Sequence, residues 1–146
     1  FPVHQLVAGF MGSPQMNFLD VKIEKQGNEY IMKFGQYNIA IPKEKNQGDV
    51  LKDYVGKEVV LGIRPEDVHD EPAFIENAKE GIVDANVEVT ELMGAETYLY
   101  LNCEGSSITA RVEPTSKAKT GDKIKVAFAL DKIHLFDKES EKTILN

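Results

Sequence analysis

The rhythm of apolar and polar residues changes near residue 18. Before that point Val3, Leu6, Val7, Phe10 and Met11 recur at helical spacing, which predicts an amphipathic helix with one apolar stripe. Pro2 suits its first turn, and Gly12-Ser13-Pro14 ends it, because proline disfavours helical geometry in the residue before it. Such a stripe needs a cover, supplied by the following domain or by one preceding it. From Phe18 the period becomes two. Leu19, Val21 and Ile23 alternate with Asp20, Lys22 and Glu24; Tyr30, Met32 and Phe34 follow a turn at Gly27-Asn28, and Tyr37, Ile39 and Ile41 follow Gly35. This predicts a three-strand meander closed by Pro42. Val50, Leu51, Tyr54 and Val55 then predict one short helix, capped by Asp49 and stopped at Gly56. The run from Val59 to Ile63 has the unbroken apolar character of a strand buried on both faces.

Arg64 to Lys79 is polar and irregular and reads as a connection, with a turn of helix around Phe74 to Asn77. Val83, Ala85, Val87 and Val89 alternate with Asp84, Asn86, Glu88 and Thr90, the clearest strand in the chain. Gly94, Gly105 and Gly121-Asp122 turn the chain into strands over 97–102, 108–112 and 124–130, and Ile133 to Phe136 forms a last strand before a polar tail. Short strands separated by glycine turns predict a mainly β fold of OB-like barrels. Two successive meanders split near Pro65 suggest two intertwined small barrels, with a short N-terminal helix and one or two further short helices.

Composition narrows the function classes. At 146 residues with 42% hydrophobic content the chain can bury a core of its own, and no apolar run reaches the roughly 18 to 20 residues of a membrane span. Twenty-four acidic residues against 17 basic ones give a net charge of −7, the wrong sign for binding phosphate backbones. Lys117, Lys119, Lys123 and Lys125 cluster, as lysines fringing a solvated strand and turn. Cys103 is the single cysteine, so no intrachain disulfide forms, which fits a reducing cytoplasmic compartment.

Catalytic and metal chemistry find little support. His4, His69 and His134 are far apart, with no local ligand pair, and His69 beside Asp67, Asp70 and Glu71 reads as a solvated acidic loop. No serine sits in a Gly-x-Ser-x-Gly elbow, Cys103 reads as a packed strand residue, and no Gly-x-x-x-x-Gly-Lys-Ser/Thr loop is present to cradle a nucleotide. Catalytic, cofactor-binding and metal residues are therefore all expected to be absent. Arg64 stands apart: it follows an apolar strand, precedes a proline and neighbours Glu66 and Asp67, so a planar, bidentate ion pair that organises this loop is expected. His134 alternates with Ile133 and Leu135 and is expected to face solvent or a partner.

Several segments together carry a resemblance. Phe10-Met11-Gly12-Ser13-Pro14-Gln15-Met16-Asn17-Phe18-Leu19, Leu61-Gly62-Ile63-Arg64-Pro65-Glu66-Asp67-Val68, Val87-Glu88-Val89-Thr90-Glu91-Leu92-Met93-Gly94-Ala95-Glu96-Thr97, and Gly121-Asp122 with Ile133-His134-Leu135-Phe136-Asp137 occur in this order. They resemble the C-terminal regulatory region, a transport-associated OB fold, of ATP-binding subunits of bacterial carbohydrate ABC importers of the maltose and multiple-sugar type. The resemblance implies a linking helix and connection over 1–17, from a nucleotide-binding domain outside this chain, and a regulatory domain over 18–146 with a possible subdivision near 64–80. ATP and Mg would belong to that other domain, with no cofactor here. Implied partners are a paired ATPase subunit or second copy, the chain's own nucleotide-binding domain, the membrane permease subunits indirectly and a regulatory phosphotransferase-system protein. The implied location is cytoplasmic, peripheral on the inner face of the membrane. Phe10, Met16, Phe18, Arg64, Glu66 and His134 are the candidate inter-domain or interface contacts.

Two other classes compete. An OB-like module of this kind can bind a small oxyanion, for which Ser106, Ser107, Thr109, Thr115, Ser116 and Lys117 supply suitable side chains. Single-stranded nucleic acid needs stacking aromatics on a basic face; Tyr98 and Tyr100 share a strand face, yet the chain is acidic.

Overall fold

A computed structural model describes residues 15–146. Eleven strands and one short α-helix follow in order: β1 Asn17–Gln26, β2 Glu29–Phe34, β3 Tyr37–Ala40, β4 Glu58–Ile63, β5 Val68–His69, α1 Pro72–Asn77, β6 Ile82–Met93, β7 Glu96–Cys103, β8 Ser106–Val112, β9 Lys123–Phe128, β10 His134–Asp137 and β11 Thr143–Leu145. Two sheets result, one ordered β11-β10-β4-β1-β2-β3 and the other β5-β9-β6-β7-β8. The second curls so that β5 and β8, its two ends, approach each other. The chain builds most of the first sheet, then the second, and returns with β10 and β11 to the first. The architecture is mainly β and OB-like, as the strand spacing predicts. The expected N-terminal helix, with Phe10 on it, lies outside the described residues.

The inward parity of β1, Leu19, Val21 and Ile23, is buried while Asp20 and Lys22 are exposed, so the alternation does set the face. β4 is buried from Val59 through Ile63 on both faces, because it is paired between β1 and β10 and covered on its outer side. Buried side chains from both sheets form one apolar cluster, with Leu61, Leu99, Leu101, Phe128 and Leu135 fully enclosed. Fully burying side chains of this size contributes roughly 1.5–3 kcal/mol each.

Four local expectations change. The segment Gln47–Tyr54 is a 3-10 run rather than an α-helix, kinked where Gly48 and Asp49 take φ of 72° and 53°. Leu51 and Tyr54 turn inward at the three-residue period of that helix, leaving Val50 and Val55 exposed. Asp49 is not the cap. The Asn46 side-chain oxygen accepts the Leu51 amide at 3.0 Å, and the Asp49 carboxylate instead accepts the Tyr30 hydroxyl at 2.7 Å, which holds it below the usual carboxylate range. The strand expected through Leu130 stops at Phe128, and Leu130–Lys132 is a 3-10 turn. The polar tail contains β11, which pairs with β10 and buries Leu145.

Candidate functional site

The outer face of the first sheet gathers four of the residues singled out in the sequence. Phe18 lies opposite Gly62 in the β1–β4 register, and His134 lies opposite Gly62 in the β10–β4 register, so all three share one row across the sheet. Phe136 stands opposite Val60 in the next row, and its ring meets Phe18 edge-on, with centroids 6.1 Å apart and planes inclined at 67°. Gly62 makes this packing fit. A Cβ there would come within 2.7 Å of Met16 Sδ and 2.8 Å of Phe136 Cε2, so the absence of a side chain lets both fold over the central strand.

Arg64 follows directly on β4, and its guanidinium goes elsewhere than expected. Nη1 lies 3.3 Å from His134 Nε2, and His134 Nδ1 lies 2.9 Å from Asn146 Oδ1. This chain of contacts fits the imidazole tautomer with its proton on Nδ1: that N–H donates to Asn146, and Nε2 accepts from Arg64. Among the described residues Arg64 makes no ion pair with Glu66 or Asp67. The loop is organised by the backbone instead. The Asp67 amide donates to Arg64 O at 2.9 Å, the Ala129 amide donates to Asp67 O at 2.9 Å, and Pro65 is buried. Burial, and then the neighbouring Glu66, pushes the Asp67 carboxyl above the ordinary carboxylate value, against the opposing pull of His69 and Arg64. Glu66 is exposed on the turn.

Asn17, between the two singled-out residues Met16 and Phe18, is the polar residue that matters most to this region. It is 8% exposed, the one buried polar side chain among the described residues. Its Nδ2 donates to Thr109 O at 2.9 Å and its Oδ1 accepts the Thr109 amide at 2.8 Å, so one carboxamide imitates a strand partner and ties β1 to β8. A signal was present: Asn17 has the same parity as Leu19, Val21 and Ile23, and a polar residue on the apolar parity of a strand needs a built partner. The Tyr37 hydroxyl at Asp84, the Glu104 carboxylate at the Gln36 amide and the Glu80 carboxylate at the Ala40 amide extend this polar seam.

The alternative chemistries meet opposing geometry. Thr115, Ser116 and Lys117 do line a cleft of about 460 Å3, but Asp70, Glu71, Glu113 and Asp122 line it too. The Ser116 hydroxyl is already donated to Asp70 at 2.5 Å, so an oxyanion would meet four carboxylates and one fewer donor. Tyr98 and Tyr100 share a face, and their hydroxyls donate to Glu96 and Glu91, which places carboxylates where a phosphate backbone would run. His69 is stacked on Phe74 at 3.9 Å and paired with Glu71. Burial pushes the Cys103 thiol up to about 11, far from a reactive thiolate.

The MalK OB fold domain matches residues 12–68 and the TOBE domain matches residues 61–136. The chain belongs to the TOBE domain family. The boundary between the two matched regions runs through Leu61 to Val68, the end of β4 and the Arg64 turn, where the chain leaves one sheet for the other. The oligosaccharides import ATP-binding protein MsmX of Bacillus subtilis is 38% identical over 144 residues, covering 99% of this chain and 38% of that protein. The trehalose/maltose import ATP-binding protein MalK of Thermococcus litoralis is 37% identical over 98% of this chain and 38% of its own length. The multiple sugar-binding transport ATP-binding protein MsmK of Streptococcus mutans is 38% identical over 98% of this chain and 37% of its own. This TOBE chain thus spans well under half the length of these relatives. A solved structure of the cytoplasmic molybdate-binding protein ModG, with molybdate bound, superposes with a TM-score of 0.61 over 82% of this chain and 94% of that one. At 16% identity that likeness shows the shared fold.

Proposed function

We propose that this TOBE chain is the regulatory and assembly region of an ATP-binding subunit of a carbohydrate ABC importer. The observation that carries the reading is that relatives named as sugar-import ATP-binding proteins match it over 98–99% of its length. ATP and Mg are handled by the remainder of such a subunit, and this part neither binds nor hydrolyses nucleotide. Its role is to hold two ATPase subunits near each other through the cycle of opening and closing, which keeps their effective concentration high. The further partners are the membrane permeases, reached indirectly, and a regulatory phosphotransferase-system protein; the location is the cytoplasmic face of the membrane. No helix among the described residues is long and apolar enough to cross a bilayer. The face formed by Met16, Phe18, Gly62, Arg64 and His134 is the contact toward the nucleotide-binding domain.

The test is a chimera. This chain replaces the matching region of MsmX, and the hybrid is assayed for oligosaccharide-dependent growth and for ATP hydrolysis in membranes. Retained transport supports the reading. A stable hybrid with full ATP hydrolysis but no assembly with the permeases refutes it, as does stoichiometric Mg-ATP binding by the isolated chain in calorimetry.

A further inference from the structure

The far half of β6 is a strand edge with an unusual charge record. β9 pairs with β6 only from Ile82 to Asn86, and the Gly121–Asp122 turn closes that side at Val87. Beyond a bulge between Val87 and Val89, the residues through Met93 pair with β7 alone among the described residues. A strand edge of this kind presents unpaired amides and carbonyls, the template for an added strand.

Apolar side chains and charge coincide there. Val89, Leu92 and Met93 are 49%, 71% and 42% exposed, three of the five large exposed hydrophobics among the described residues. The register places Val89, Glu91 and Met93 on the face of Tyr100, Tyr98 and Glu96, and Leu92 on the opposite face with Thr97, so the edge offers apolar contact on both sides. Between Lys79 and Arg111 the sequence holds six acidic residues, Glu80, Asp84, Glu88, Glu91, Glu96 and Glu104, and no lysine, arginine or histidine. Glu88, Glu91 and Glu96 flank the apolar triplet. Among the described residues, Arg111, 3.8 Å from Glu96, is the single cation paired with these three.

We propose that the Glu88–Met93 edge of β6 is a docking site for an extended, cationic segment of another protein, one alternating lysine or arginine with apolar residues and added as a strand where β9 leaves off. Backbone hydrogen bonds would supply the pairing; the cations, all on one face of the added strand, would reach Glu91 with their stems along Val89 and Met93, and the apolar side chains would meet Leu92 on the other face. An anionic membrane or nucleic acid is repelled by the same carboxylates. A second copy docking by this same edge would bring Glu88 and Glu91 against their own equivalents, with no base in either strand to offset them. The inference rests on this edge alone and stands apart from the importer reading.

The test titrates the isotope-labelled 146-residue chain with a short blocked peptide alternating lysine with valine and threonine. Expected are shifts and slowed hydrogen exchange at the amides of Glu88 to Met93, weakening as salt is raised. The double variant Glu88→Lys/Glu91→Lys should bind about tenfold more weakly. Leu92→Ser, which alters a side chain lying mostly in water, should weaken binding without disturbing the fold. Four outcomes overturn the proposal: no shift at millimolar peptide, shifts confined to another edge, equal binding of a peptide with glutamate in place of lysine, or protection of these amides when the chain alone is concentrated. The last result would make the occupant a second copy.

Discussion

Two polar contacts join parts of this chain that are distant in sequence, and they are built in opposite ways. Asn17 reaches Thr109 with a neutral carboxamide whose donor and acceptor are both used, at 2.9 and 2.8 Å, in a nearly dry setting. Arg64 reaches His134 with a charged group through one contact of 3.3 Å, exposed to water. The charged residue was conspicuous in the sequence, yet the neutral one should hold more free energy. A guanidinium released into solvent is well hydrated and loses little. A buried amide and carbonyl on a strand edge lose their partner with nothing to replace it, at about 1–3 kcal/mol for each group.

The contrast breaks first at Asn17. Asn17→Ala should lower stability by about 3 kcal/mol, read as a shift of the urea midpoint at unchanged slope. Asn17→Asp should recover only part of this, because a carboxylate still accepts the Thr109 amide but repels the Thr109 carbonyl. A midpoint within error of wild type for Asn17→Ala would show that water replaces the carboxamide freely.

A second effect tests the covered face beside these contacts. Gly62→Val would force a branched side chain against Met16 Sδ and the Phe136 ring, costing about 2 kcal/mol by overpacking. Met16 is flexible, so Gly62→Val combined with Met16→Ala should regain part of the loss. A double variant no better than the single would locate the strain at Phe136.

Arg64→Ala should change stability by no more than about 0.5 kcal/mol, the range of exposed surface substitutions. This reverses the larger cost expected of a loop-organising ion pair, since the turn is held by backbone hydrogen bonds that the substitution leaves in place. A loss of about 3 kcal/mol, that of a broken buried pair, would contradict the exposed geometry.

The smallest effect concerns Asp67 in the same turn. Burial raises its carboxyl pKa in the folded state, so the folded chain holds its proton to higher pH than the unfolded chain does. Between the ordinary carboxylate value and the raised one, stability therefore falls as pH rises, the reverse of a salt-bridged aspartate. Asp67→Asn should remove that component, making the variant relatively more stable near neutral pH than near pH 3. Arg64→Ala should raise the Asp67 pKa further, because the guanidinium is one of the charges holding it down. Equal urea midpoint differences at both pH values for Asp67→Asn would remove the buried-carboxyl account.

How far the sequence could be read depended on the range of each interaction. β1 and β6 announce themselves because alternation over many residues records which face is buried, β4 because its apolar run is unbroken, and the turns through glycine. β5 and β11, of two and three residues, are too short to show a period. The segment around Leu51 misled because 3-10 and α-helical spacing are alike over so few residues. On the candidate face, Met16, Phe18, Arg64 and His134 were all picked out and do converge, while Glu66 stays exposed on its turn and Phe10 lies outside the described residues.

The sequence alone determined the mainly β fold class, most strand positions and the resemblance to importer subunits, because each depends on residue type and local spacing. Only the tertiary structure decided that Asn17 pairs with a residue 92 positions away, that Arg64 turns to His134 rather than to its carboxylate neighbours, and that β6 outruns β9 to leave an acidic, apolar edge. Those outcomes follow from how two curled sheets meet and where each strand stops. Distances between residues so far apart along the chain are fixed by packing, which no local pattern records.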